Sequence, residues 1–193
     1  MVLVCVTAAP SGPSNSPSNP PSFYTRNLCR FPVYVNSVVA WGPGSRPGER
    51  CPDFGETRQR ILNPGHSLQS LFPIRQDSCG HSIKVARVPG GRVYQFEFNW
   101  ARENNKMWYN LSSIDGNPFT DVSREISGPL SCPKLHCFPG NNGSACDYPV
   151  QTDCLTVGNM FGWLCAGDPG SIPWTNEMMS TAQTIDELPF VED

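Results

Sequence analysis

"SIKVARVPGGRVYQFEFNW", residues 82–100, decides the fold class. Two β-branched and aromatic runs, 82–88 and 93–100, flank Pro89-Gly90-Gly91-Arg92. Pro presets one turn dihedral and Gly tolerates positive φ, so the stretch reads as a β-hairpin. The second arm alternates cleanly. Tyr94, Phe96, Phe98 and Trp100 point to one side; Gln95, Glu97 and Asn99 point to the other. A period of two puts the first set on a core and the second toward water or a ligand.

Neighbouring segments repeat the pattern. "FPVYVNSVVAW" (31–41) reads as a strand. "RILNPGHSLQSLF" (60–72) reads as two short strands around Asn63-Pro64-Gly65. "KMWYNLSSID" (106–115) reads as the strand after the hairpin, and "CLTVGNMFGWLC" (154–165) as a final one. Residues 128–151 are rich in Cys, Gly and Pro and read as a disulfide-tied loop. No long helical period is present. With 17 Gly and 20 Pro in 193 residues, the chain is too punctuated for a bundle and suits a β-sandwich.

Nine cysteines occur, and Cys5 lies in an apolar leader-like start, which leaves eight. So many thiols point to an oxidising compartment. There is no Cys-x-x-Cys, and His66, His81 and His136 lack ligand spacing, so no metal and no cofactor are expected. Val6-Thr7-Ala8 has the small residues of a signal-peptidase site, so 1–9 reads as a signal-peptide remnant of a secreted protein. Residues 10–22 read as a Pro/Ser-rich linker, 23–166 as the domain, and 167–193 as an acidic, disordered tail. That tail holds six acids and no Lys or Arg. The remaining basic groups are scattered, which gives no footprint for nucleic acid; no run is long enough to span a membrane, and a monomer is expected.

Two sequons stand at Asn110-Leu111-Ser112 and Asn142-Gly143-Ser144. A nucleophilic reading of His136-Cys137 is disfavoured because that thiol is expected to be oxidised. His66 and His81 read as turn or surface residues. Trp41, Trp100 and Trp163 read as core, Trp108 as outward-facing, and Trp174 as part of the tail.

"NLCRFPVYVNSV" (27–38), "LNPGHSLQSLF" (62–72), "YQFEF…WYNLSSIDGNPF" and the closing "LC" (164–165) together resemble thaumatin-like proteins. The nearest likeness is to the small fungal branch of antigenic thaumatin-like, or yeast-phase-specific, proteins. The resemblance implies an antiparallel β-sandwich with a Cys29–Cys165 bridge. Cys51 and Cys79 then most simply pair with each other, while Cys132, Cys137, Cys146 and Cys154 keep three connectivities open.

In larger members of that superfamily, an acidic cleft of one arginine, one glutamate and three aspartates is linked to β-1,3-glucan binding and weak glucanase activity. The glutamate corresponds to Glu97 and the aspartate before the turn to Asp115; a further aspartate falls on Asn110. The arginine is open between Arg87 and Arg92. Glycoside hydrolysis needs two carboxyl groups, and Asn110 cannot titrate. The resemblance therefore implies a protein that binds cell-wall polysaccharide through Glu97, Asn99, Asp115 and Trp108. The alternatives are weak hydrolysis by Glu97 and Asp115, or a secreted effector that engages a host protein.

Overall fold

The computed structural model describes residues 20–41, 48, 50–141, 145–155 and 158–175. The leader-like start, most of the linker, the Asn142 sequon and the tail beyond 175 lie outside the described residues. The strands are β1 (Phe23–Asn27), β2 (Val33–Ala40), β3 (Gly55–Glu56), β4 (Arg60–Leu62), β5 (Ser67–Gln69), β6 (Gly80–Ala86), β7 (Val93–Trp100), β8 (Met107–Ser112), β9 (Arg124–Ser127), β10 (Lys134–Cys137), β11 (Gln151–Cys154) and β12 (Met160–Leu164).

They form two sheets. The smaller has the order β10-β9-β12-β1-β5, and the larger β11-β8-β7-β6-β2-β3, with β4 also on β2. Pairing is antiparallel except between β1 and β12, which run parallel. The expected hairpin is β6–β7, in register from His81↔Phe98 to Ala86↔Val93. The two strands around Asn63-Pro64-Gly65 do not pair with each other. β4 joins β2 and β5 joins β1, so this turn, with Gly65 at φ 77°, carries the chain between sheets. Buried Asn27 holds it there: Nδ2 donates to Leu62 O and Phe31 O, both at 2.9 Å, and Oδ1 accepts from Cys29 N at 3.0 Å.

The core lies between the sheets. Phe23 of β1 stacks on Phe98 of β7 with centroids 4.8 Å apart, and Phe96 and Tyr94 extend the layer. The sheets approach closely at Gly162, where a Cβ would stand 2.8 Å from Phe96 and 2.9 Å from Phe23. Between 128 and 151, where a loop is expected, β10 forms instead; its short run lacks a periodicity long enough to see.

Four bridges staple the layers. Cys29–Cys165 ties the neighbouring ends of β1 and β12, and Cys51–Cys79 anchors the long loop to the start of β6. The connectivity left open is Cys132–Cys154 and Cys137–Cys146. Cys132–Cys154 links the turn after β9 to β11, one sheet to the other. Arg124, wholly buried, fastens the loops beside the bridges. It donates to Phe119 O at 2.9 Å, Val122 O at 2.7 Å and Asn141 O at 2.5 Å, and lies over the Tyr94 ring. The Tyr94 hydroxyl donates to buried Asp147; burial, reinforced by that carboxylate, pushes the phenol far above its ordinary range.

Several expectations are corrected. His81 is no surface residue: it is 5% exposed and stacks on Phe98 at 5.0 Å, because odd positions of β6 face the core. Burial lowers its pKa to about 4. Trp41 is not core but 45% exposed, since it follows the last residue of β2 and falls outside the sandwich. The linker reading ends early: Ile74 N donates to Pro21 O and Met160 N to Ser22 O, so both residues are seated on the fold.

The segment 167–175 also stays with the domain. Asp168 accepts from Ser123 N at 2.7 Å, and Ile172 N donates to Leu28 O at 2.8 Å. Trp174 covers Arg26, whose guanidinium carbon lies 4.0 Å from that ring and 4.2 Å from those of Phe161 and Trp163. An outward residue of the smaller sheet is thereby boxed by three rings.

Candidate functional site

The outer face of the larger sheet carries the site. Backbone register sets Val38, Ser82, Glu97, Asn110 and Gln151 opposite one another in a row across five strands. In the next row, Ala40 faces Gly80, and Asn99 faces Trp108. The small pair leaves a depression beside two rows of longer side chains. The result is a cleft of about 610 Å³. Ser82, Glu97, Asn99 and Asn110 line its floor; Trp41, Trp108 and Tyr148 contribute rings, and Glu103 and Asn104 belong to its rim. Tyr148 is 57% exposed.

Three of the residues expected to bind a ligand therefore meet in one cleft: Glu97, Asn99 and Trp108. Glu97 Oε2 accepts from Asn110 Nδ2 at 2.7 Å, and its other oxygen has no hydrogen bond among the described residues. Asn99 is 8% exposed, yet its amide likewise makes no side-chain hydrogen bond there. Its amide atoms are not among the buried, unbonded polar atoms, so they reach the cleft, where their donor and acceptor capacity is open to a polar ligand. Trp108 is braced by Lys106, whose Nζ lies 5.6 Å from the ring centroid and 2.9 Å from Asp153 Oδ1.

Asp115 lies outside this lining. It lies within the turn after β8, and its Oδ2 accepts from Gln95 Nε2 at 3.1 Å, while Gln95 Oε1 accepts from Ser82 Oγ at 2.7 Å. Neither candidate arginine lines the cleft. Arg87 pairs with Asp121 at 2.5 Å and lies over Phe31, and Arg92 packs over Gly116. No Lys or Arg is among the lining residues, so the carboxylates of Glu97 and Glu103 set its charge. Glu103 also accepts from Ser78 Oγ at 3.1 Å.

Sequence reasoning missed Trp41, Tyr148 and Glu103. Their one signal is that each stands in a connection beside a strand of this sheet, which says nothing about which way the connection folds. Elsewhere, Cys137, Cys146 and Asp147 bring ligand-type atoms within 4.8 Å of one another. Both sulfurs are bonded in a disulfide, so the group is no thiolate set.

The family described as Blastomyces yeast-phase-specific protein (Bys1) matches residues 23–166, which is the whole two-sheet domain. The chain belongs to the Bys1 family. Among curated relatives, this Bys1 chain is similar to an antigenic thaumatin-like protein of Arthroderma benhamiae, at 25% identity over 162 residues, covering 77% of this chain and 72% of the relative. Among solved structures, it is similar to the protein elicitor MoHrip2 from Magnaporthe oryzae. The TM-score is 0.57 at 20% identity, over 75% of this chain and 98% of the other, which shows the shared fold. The thaumatin-like xylanase inhibitor TLXI superposes with a TM-score of 0.48 at 17% identity, over 74% of this chain and 98% of that one. The domain is thus a thaumatin-like β-sandwich, and its four bridges fit an extracellular, oxidising setting.

Proposed function

We propose that this is a secreted protein that binds a neutral cell-wall polysaccharide of the β-glucan class in the cleft, without strong hydrolysis. The supporting observation is the pairing of aromatic rings with floor groups that keep hydrogen-bonding capacity. Trp41, Trp108 and Tyr148 stand beside Glu97 and Asn99, which keep free hydrogen-bonding capacity. Pyranose rings present apolar C–H faces that stack on aromatic rings and hydroxyls that bond to amides and carboxylates. An open, ring-lined cleft with a few convergent polar groups suits such a chain. Two carboxylates without a lining cation disfavour an anionic polymer.

Binding is favoured over cleavage by the residue that faces Glu97. Hydrolysis requires a second carboxyl group in a defined position, and the partner across the strand pair is the amide of Asn110. Asp115 is engaged by Gln95 beyond the lining, and Glu103, the other lining carboxylate, stands in a connection outside the strand row of Glu97 and accepts from Ser78 Oγ.

Co-sedimentation with insoluble β-1,3-glucan, with chitin as comparison, tests the reading. Wild type should bind the glucan, and Trp108→Ala should weaken binding at least about tenfold, a loss of about 1.4 kcal/mol. Glu97→Gln, which keeps an acceptor, should weaken it less. Failure of correctly bridged wild-type protein to sediment with the glucan overturns the proposal. Reducing-sugar release by wild type that falls in Glu97→Gln would move the site to the hydrolytic reading.

A further inference from the structure

Asn110 joins two facts that belong to different levels. In sequence it opens the sequon Asn110-Leu111-Ser112. In the fold it is half-buried on the cleft floor, with Glu97 on one side and Gln151 on the other. Its Nδ2 donates to Glu97 Oε2 at 2.7 Å and makes only a long contact, 3.3 Å, to Leu111 O. The amide therefore has one proton engaged firmly and one held weakly. Replacing the second with a sugar leaves the bond to Glu97 intact.

We propose that Asn110 is an N-glycosylation site whose occupancy closes the cleft, so that the chain exists as an open, ligand-binding form and a form capped by its own glycan. Transfer takes place on the extended chain before the sheet forms, when Asn110 is accessible. The amide nitrogen forms an N-glycosidic bond to the anomeric carbon of an oligosaccharide, the lipid pyrophosphate that carried the sugar leaves, and the amide gives up one proton. After folding, the nitrogen lies on the floor, so the first N-acetylglucosamine enters the cleft that Trp108 and Tyr148 also line, the surfaces a free polysaccharide would use. The tether raises the effective concentration of that sugar far above that of any free competitor. The capping rests on the existence of a glycan; its consequence for polysaccharide binding rests on the proposed function.

The test compares three chains, each also carrying Ser144→Ala to remove the second sequon. One is secreted from a glycosylating eukaryotic host, one is made in a bacterial periplasm, and one is a eukaryotic Ser112→Ala chain. Ser112→Ala abolishes the sequon but leaves Asn110 and its bond to Glu97 in place. The first chain should show one oligosaccharide on Asn110 by intact mass and peptide mapping. It should bind insoluble β-1,3-glucan at least tenfold more weakly than the other two. NMR of that chain should show cross-relaxation between the first N-acetylglucosamine and the Trp108 or Tyr148 ring. A bare Asn110 in the secreted chain, or a glycan with no contact to either ring, overturns the inference. So does equal glucan binding by capped and bare chains. If neither bare chain binds glucan, the proposed function falls alone, and the ring contacts still decide whether the glycan fills the cleft.

Discussion

Glu97 and Asn110 face each other across β7 and β8, with the Asn110 amide donating to the Glu97 carboxylate at 2.7 Å. The pair puts a neutral donor where a second acid would repel the first, and it holds the one floor carboxylate in a fixed orientation. Asn110→Asp should reverse that. Like charges directly opposite in a sheet cost up to about 1 kcal/mol. The variant should melt below wild type at pH 7, and the gap should shrink as acidification protonates one carboxyl of the pair. Thermal melts from pH 7 to pH 4 check it; a pH-independent gap would refute the repulsion.

His81 gives the domain an acid-sensitive term. Burial holds its pKa near 4, against about 6.5 in an unfolded chain. Above pH 6.5 neither state is protonated and the term is zero. Below it, the unfolded chain takes the proton first, so stability falls as pH drops to about 4 and then levels. The full loss is about 3 kcal/mol. His81→Phe, which keeps a ring against Phe98, should flatten that part of the urea-midpoint profile.

Trp174 closes the box around Arg26. A desolvated cation–π contact contributes about 1–2 kcal/mol. Trp174→Ala should lower stability by about that amount, and Trp174→Phe by less, measured by urea denaturation. Because the contact is on the sheet opposite the cleft, glucan binding should be unchanged in both variants.

Cys29–Cys165 spans 136 residues, the longest of the four loops. On chain-entropy grounds its closure contributes about 4–5 kcal/mol. Cys29→Ala with Cys165→Ala should therefore lower the melting temperature more than Cys137→Ala with Cys146→Ala, whose loop spans 9 residues. Calorimetry on the two double variants checks the order.

The sequence by itself determined what depends on neighbours along the chain. Alternation along 93–100 set Tyr94, Phe96 and Phe98 inward and Glu97 and Asn99 outward, and the structure keeps that division. Pro89-Gly90-Gly91-Arg92 made β6 and β7 a hairpin, and eight later cysteines announced a stapled sandwich. Only the tertiary structure decided which sheet each strand joins: β4 and β5 look like one hairpin but lie in different layers. It also chose among the cysteine pairings, turned His81 inward, brought Trp41 and Tyr148 to the cleft and left Asp115 beside it. Side-chain direction in a strand is a local property with period two. Cross-strand register and the path of a connection arise from contacts between residues far apart in the chain, and no local pattern encodes them.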